Sequence, residues 1–248
     1  MGQVVGQIDR LLAARAPVAS GANFLADTLR AEILEARYPP GTRLYNLREL
    51  QERSGYSLSV VREALQLLQA SGLVTVRQGA KGGVFVRQAD HEVLTLSLGA
   101  LMVTNNISHS ALIESRQELE GVCATLAARH ATAEQVEQLR ESVGILTELV
   151  GDPARFTLEN VRFHRLISEA TGNNVIIAVS AALSDLFFKE TVNVNYSESA
   201  LKTTIRAHAR IVRSVAEGDG EVARAAMMKH VSGFDEYLNQ SDQLKPRR

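Results

Sequence analysis

Tryptophan is absent from this 248-residue chain, and cysteine occurs once, as Cys123. A single thiol cannot close an intrachain disulfide, which fits a reducing, cytoplasmic setting. Cys123 itself reads as a small buried thiol. No apolar stretch approaches the ~18 residues of a membrane span. The longest candidate, Val175 to Leu183, is half that length and contains Ser180. Asp9 and Arg10 interrupt the first apolar run, unlike a signal peptide, and position 6 is glycine where a myristoylation signal has Ser or Thr. An excess of one charge sign is also missing: 27 Lys and Arg stand against 28 Asp and Glu. With 45% hydrophobic and 22% charged residues the chain is neither disordered, collagen-like nor low-complexity. Its length allows one domain or two.

The pattern divides the chain near residue 90. Residues 1–20 carry a short amphipathic stretch (Val4, Val5, Ile8, Leu11, Leu12) ended by Pro17, an N-terminal extension without chemistry. Leu25, Leu29 and Ile33 then recur at helical spacing, and Pro39-Pro40-Gly41 breaks that helix. Leu47–Arg53 forms a second, short helix. Gly55 allows a tight turn, and Ser57 is a natural N-cap for a third helix, whose Val61, Leu65 and Leu68 share a face. Leu73–Val76 and Val84–Val86 flank a glycine-rich tip and read as a β-hairpin. Helix, helix–turn–helix and hairpin is the order of a winged helix–turn–helix over 21–89.

Residues 90–241 show helical periodicity almost throughout, predicting an all-α antiparallel bundle of six or seven helices. Thr132 with Gln135 resembles a capping box, and Asp152-Pro153 opens a further helix. The fold class is therefore mainly α, with a small β-hairpin wing. From Tyr38 to Arg87, seven Lys and Arg face three Glu, a local charge of +4. Such an imbalance on a neutral chain is an electrostatic footprint for nucleic acid.

The runs Tyr38-Pro39-Pro40-Gly41-Thr42-Arg43-Leu44, Leu47-Arg48-Glu49-Leu50, Ser57 through Leu65 and Gly72-Leu73-Val74 resemble the GntR superfamily of bacterial transcription factors, in order and spacing. The resemblance implies a double-stranded DNA operator as partner. It places Ser57, Leu58, Ser59 and Arg62 at the start of the recognition helix, Arg48 on the second helix, and Gln78 and Gly79 at the wing tip. The physical reading agrees, because a major groove admits one helix whose N-terminal residues meet base edges. The alternative for Arg48 and Arg62 is a surface ion pair with neighbouring Glu49 or Glu63. Lys81 would touch phosphate rather than bases. Leu58 departs from the family's usual arginine. It can meet a thymine methyl or turn inward beside Val61, and it cannot donate to guanine.

The helical half resembles the FCD-type ligand-binding domain of the FadR-like branch. Arg116-Gln117-Glu118-Leu119-Glu120, Phe163-His164, Gly172-Asn173, His208 with Gly218-Asp219, and Met228-Lys229-His230 carry this likeness. In many members a carboxylate and three histidines bind a divalent metal. The matching positions here are Asn160, His164, His208 and His230. Asn160 and His164 are spaced i and i+4, on one helical face. Neutral imidazoles suit zinc or nickel, and Asn160 brings an oxygen but no charge. The other reading is a metal-free pocket whose histidines hydrogen-bond the ligand directly. His91, His109 and His130 look like ordinary surface residues. Arg116 can anchor an acidic effector or pair with Glu120; Asn173 can line the pocket or cap the next helix.

The expected function is a cytoplasmic, homodimeric, ligand-responsive regulator, a repressor sensing a small organic acid. Two alternatives stand beside it. A three-His centre can activate water in a hydrolase, although His-Glu-x-x-His, Gly-x-Ser-x-Gly and a phosphate-cradling loop are all missing. An acyl-thioester sensor would generally lack the three histidines.

Overall fold

Gly21–Ala36 forms the first helix, α1, with Ala22, Leu25, Ala26, Leu29 and Ile33 on its buried face. The computed structural model describes residues 21–36, 38–79, 82–87, 90–191 and 196–243, without the side chains of 36, 189–191 and 234–243. The N-terminal extension, Lys81, Asn193 and Asn195 lie outside the described residues. The chain divides into two compact units, one ending at Val93 and the other beginning at Leu94.

In the first unit, α1 is followed by β1 (Arg43–Tyr45), α2 (Leu47–Ser54), α3 (Leu58–Ala70), β2 (Val74–Arg77) and β3 (Gly83–Val86). Asn46 starts α2 with a capping box: its side chain accepts from the Glu49 N–H, and the Glu49 carboxylate accepts from the Asn46 N–H. Gly55 ends α2 at φ 67°, a conformation that favours glycine. Ser57 caps α3 as expected. Val61, Ala64, Leu65 and Leu68 of α3 meet the α1 stripe, and Val74, Val84 and Val86 close the same core.

The wing differs from the expected hairpin by one strand. β2 and β3 pair antiparallel, with Val74 opposite Val86 and Arg77 opposite Gly83, and β1 adds to the free edge of β3. β1 is only three residues long and irregular in register, too short to show alternation. At the tip, a Cβ on Gly82 would lie 2.4 Å from the Arg77 carbonyl oxygen, so only glycine fits that approach.

The second unit is helical among its described residues: α4 (Glu92–Thr104), α5 (His109–His130), α6 (Ala133–Glu148), α7 (Pro153–Glu169), α8 (Asn174–Thr191), α9 (Glu198–Ala216) and α10 (Gly220–Gln243), with a 3₁₀ turn at Leu149–Gly151. The capping box at Thr132 and Gln135 and the proline at the start of α7 are both present. Helix α5 lies along α10, α9 packs on α10 and α6, and α7 packs on α6 and α8. Phe163, Ile167, Leu139, Ile211 and Met227 fill the centre. Cys123 is buried there, and burial pushes its thiol up to about 11. Among the described residues no helix is long and apolar enough to cross a membrane.

Leu68 is fully buried between α1 and the wing. Leu68→Ala should lower the stability of the first unit by about 2–5 kcal/mol, measured by urea unfolding followed by circular dichroism.

Candidate functional site

The N-terminus of α3 presents a short polar edge. Ser57 Oγ accepts from the Val60 N–H and lies 2.8 Å from Ser59 Oγ. Ser57, Ser59 and Arg62 are exposed, and Leu58 points outward at 36% exposure rather than inward beside Val61. Arg62 makes no ion pair with Glu63, because adjacent residues of a helix face different directions. Arg48 does pair, though not with Glu49, whose carboxylate is engaged in the cap. Its Nε donates to Glu52 Oε1 at 2.9 Å, one turn on, with both side chains largely exposed. Gln78 and Gly79 are exposed beyond β2, with Gly79 at φ 98°.

In the second unit, three core stripes each carry an imidazole where packing alone would put an apolar side chain. On α7 the stripe is Phe156, Phe163, His164 and Ile167; on α9 it is Leu201, His208, Ile211 and Val215; on α10 it is Ala223, Met227, His230 and Val231. The Nε2 atoms converge: His208 to His230 is 3.0 Å and His230 to His164 is 3.3 Å. Ligand-capable nitrogens of all three lie within 4.8 Å of one another. A tetrahedral ion with metal–nitrogen bonds of ~2.0–2.1 Å needs nitrogens about 3.3 Å apart, so the spacing suits one. The Asn160 Oδ1 is buried without a hydrogen-bond partner, an orphan acceptor on the helix that carries His164.

The surroundings fix the orientation and charge of these rings. His208 stacks on Phe163 with centroids 3.7 Å apart. Burial, then the neighbouring imidazoles and the Arg116 charge, push the His208 pKa well down. Burial chiefly lowers that of His230, to about 3. Both are therefore neutral at physiological pH, the form that offers a lone pair. The Nδ1 of His164 lies against Glu120 Oε2, which turns its Nε2 toward the other two rings. The other Glu120 oxygen accepts from Arg116 Nε at 2.5 Å. Burial alone would raise the Glu120 pKa. The charges of Arg116 and His164 outweigh it and hold the carboxyl at about 2.

The cluster opens on a cavity of about 660 Å³ lined by Arg116, Asn160 and His230 among others. Arg116 lines the cavity, its guanidinium 4.0 Å from the Phe187 ring, and is paired to Glu120. Asn173 does not line it. Its Oδ1 accepts from the N–H groups of Val175 and Ile176, which makes it the exposed cap of α8. His91, His109 and His130 stand outside the cluster. Two features had no clear sequence signal. Glu120 read only as an ion-pair partner one turn from Arg116, and Arg206, Arg210 and Lys229, which line the cavity, are not among the residues that the sequence singles out as a site.

Residues 22–86 match the family described as bacterial regulatory proteins, gntR family, and residues 111–233 match the FCD domain. The chain is 27% identical to the HTH-type transcriptional regulator LutR of Bacillus subtilis, covering 81% of this chain and 93% of that one. It is 29% identical to the HTH-type transcriptional repressor NanR of an Enterobacter species, covering 85% and 82%. The Uxu operon transcriptional regulator of Escherichia coli is also 29% identical, over 85% and 83%. Among solved structures, Streptococcus agalactiae GntR aligns with a TM-score of 0.68 at 26% identity, covering 87% of this chain and 99% of that one.

Glu120→Gln leaves the Arg116 guanidinium buried without its counter-charge. Urea unfolding should register a loss of about 3–5 kcal/mol. Replacing both residues with apolar ones of similar volume should recover most of that loss.

Proposed function

From a chain that belongs to the gntR family of bacterial regulatory proteins and carries an FCD domain, we propose a repressor that releases its operator when a small organic acid binds the helical unit at a divalent-metal site. Transcriptional regulation itself follows from the family; the repression, the acid and the metal are the proposal. The observation that carries it is the convergence of His164, His208 and His230 on one another, with His230 at the wall of the cavity.

His164, His208 and His230 would hold the metal through Nε2, with Asn160 Oδ1 as a neutral oxygen ligand. Zinc or nickel suits that donor set. When bound, the ion supplies positive charge and a coordination position open to a carboxylate. Arg116, fixed by Glu120, orients the acid from the cavity wall. Three neutral imidazoles and an amide leave the ion's charge unanswered, which favours an anionic effector.

On the first unit, Ser57, Leu58, Ser59 and Arg62 would enter the major groove, Arg48 would meet the duplex from α2, and Gln78 with Gly79 would reach the minor groove. Leu58, facing outward, can contact a thymine methyl. A homodimer would set two recognition helices on half-sites separated by helical turns. The acid shifts DNA affinity only by the difference in its own affinity for the two states of the protein. Repression draws support from the relative named as a repressor. The hydrolase reading has little support. The carboxylate at the cluster, Glu120, has both oxygens engaged, so it is no free base for water.

Genomic footprinting with the purified chain should return near-palindromic sites, and the genes beside them would suggest acids to test for release. Arg62→Ala should weaken operator binding by ~1–3 kcal/mol in a gel-shift titration; unchanged affinity removes Arg62 from the interface. Elemental analysis of protein purified without chelator should find about one zinc or nickel per chain, given one three-His site. That content should collapse in His208→Ala with the helical circular dichroism retained. An empty wild-type chain, refractory to reconstitution, would eliminate the metal.

A further inference from the structure

We propose that the effector carries two anionic groups, and that Arg206, Arg210 and Lys229 form a second anchor at the mouth of the cavity, separate from the histidine end. The proposal rests on reading this cavity as the effector site and goes on to name the ligand's charge pattern.

The wall of the cavity carries fixed charge of one sign. Its described lining residues include Arg116, Arg206, Arg210, Lys229 and His230, and no aspartate or glutamate. Arg116 is internally balanced by Glu120. The three outer cations make no ion pair among the described residues. Other cations of the unit are paired, Arg140 with Glu137, Arg162 with Glu159, Arg165 with Glu169 and Arg224 with Glu118, and what distinguishes Arg206, Arg210 and Lys229 is that all three line one cavity. Three like charges gathered at one opening repel each other until an anion arrives.

Their placement on the helices separates them from the inner site. On α9, His208 faces the core, while Arg206 and Arg210 lie one turn apart on a different face and reach the cavity from its rim. Lys229 enters from α10, beside His230 but more exposed. The lining also includes the hydroxyls of Thr157 on α7 and Thr203 on α9 beside the apolar Phe156, Val161 and Leu201, and Thr203 Oγ1 accepts from Arg206 at 2.8 Å. At about 660 Å³ the cavity is the size of sites for whole small molecules, roomier than a single carboxylate requires. A ligand with one acid at the histidine end and another at the rim answers both charge centres. The second group can be a carboxylate or a phosphate, since a guanidinium fork binds either.

The test uses the metal-loaded full chain and isothermal titration with matched probes: linear dicarboxylates from malonate to adipate against monocarboxylates of equal chain length, and 3-phosphoglycerate against glycerate. At least one dianion should bind ten-fold or more tightly than its match, and the preferred pair tells carboxylate from phosphate. Arg206→Gln with Arg210→Gln, and separately Lys229→Gln, should bring that ratio close to one while leaving the monoanion's affinity and the unfolding midpoint unchanged. These side chains are exposed, so the variants should fold. Equal binding of dianion and monoanion, or a preference that survives the rim variants, overturns the second anchor and leaves the inner site standing. Failure of every probe to bind overturns the second anchor too, and with metal content normal it also counts against a carboxylate-sensing cavity.

Discussion

Five polar side chains sit inside the helical unit, and each one's burial is tolerable only because of the others. Glu120 is the hinge of the set. One of its oxygens holds Arg116 and the other faces the Nδ1 of His164. A buried guanidinium or carboxylate left alone would cost several kcal/mol, and an ion pair offsets that penalty only when its remaining hydrogen-bonding capacity is also met. The inward turn of the His164 Nε2, the convergence on His208 and His230, and the placement of Arg116 on the cavity wall all depend on that carboxylate. An apolar core of the same volume would be simpler to fold. This arrangement fixes the directions of lone pairs and of a cation, which packing alone cannot do.

The periodicity of the chain carried most of the fold, and the reasons it fell short are local. Ser57, Thr132 and Asp152 announced helix starts because a side-chain oxygen three residues before a free backbone N–H is a short-range device, visible in sequence. β1 escaped notice because its three residues join the sheet through a partner some forty positions away. Arg48 was assigned the wrong carboxylate for a similar reason. The capping box occupies Glu49, so the pair forms one turn on with Glu52. Asn173 stood beside a glycine that resembled a pocket motif, yet its amide is used locally to start α8.

The histidines were legible by resemblance, and their stripe positions explain how the fold gathers them. Each replaces an apolar residue on the inward face of a separate helix, so packing α7, α9 and α10 together brings the rings together without any loop. Glu120 was harder to see. Its i,i+4 spacing from Arg116 is the commonest surface pairing on a helix, and only the packing of α5 against α7 turns it into a buried one. The rim cations are the opposite case. Their sequence neighbourhood is ordinary, and their meaning comes from lining one cavity with no acidic partner among the described residues.

Asn160 decides how the two ends of the cavity divide their work on the proposed reading. A carboxylate there would strengthen the hold on a cation and, at the same time, repel an incoming acid. Inside a cavity, away from bulk solvent, that repulsion is less screened than at a surface. An amide of nearly the same shape removes the repulsion and keeps an oxygen for the cation. The positive charge at the inner end is then available to a ligand, while the outer end is positive through the guanidinium and ammonium groups of Arg206, Arg210 and Lys229. A site built this way discriminates by the number of negative charges a molecule carries and by their separation. Hydrophobic fit adds to this, because Phe156, Val161, Phe187 and Leu201 also line the wall.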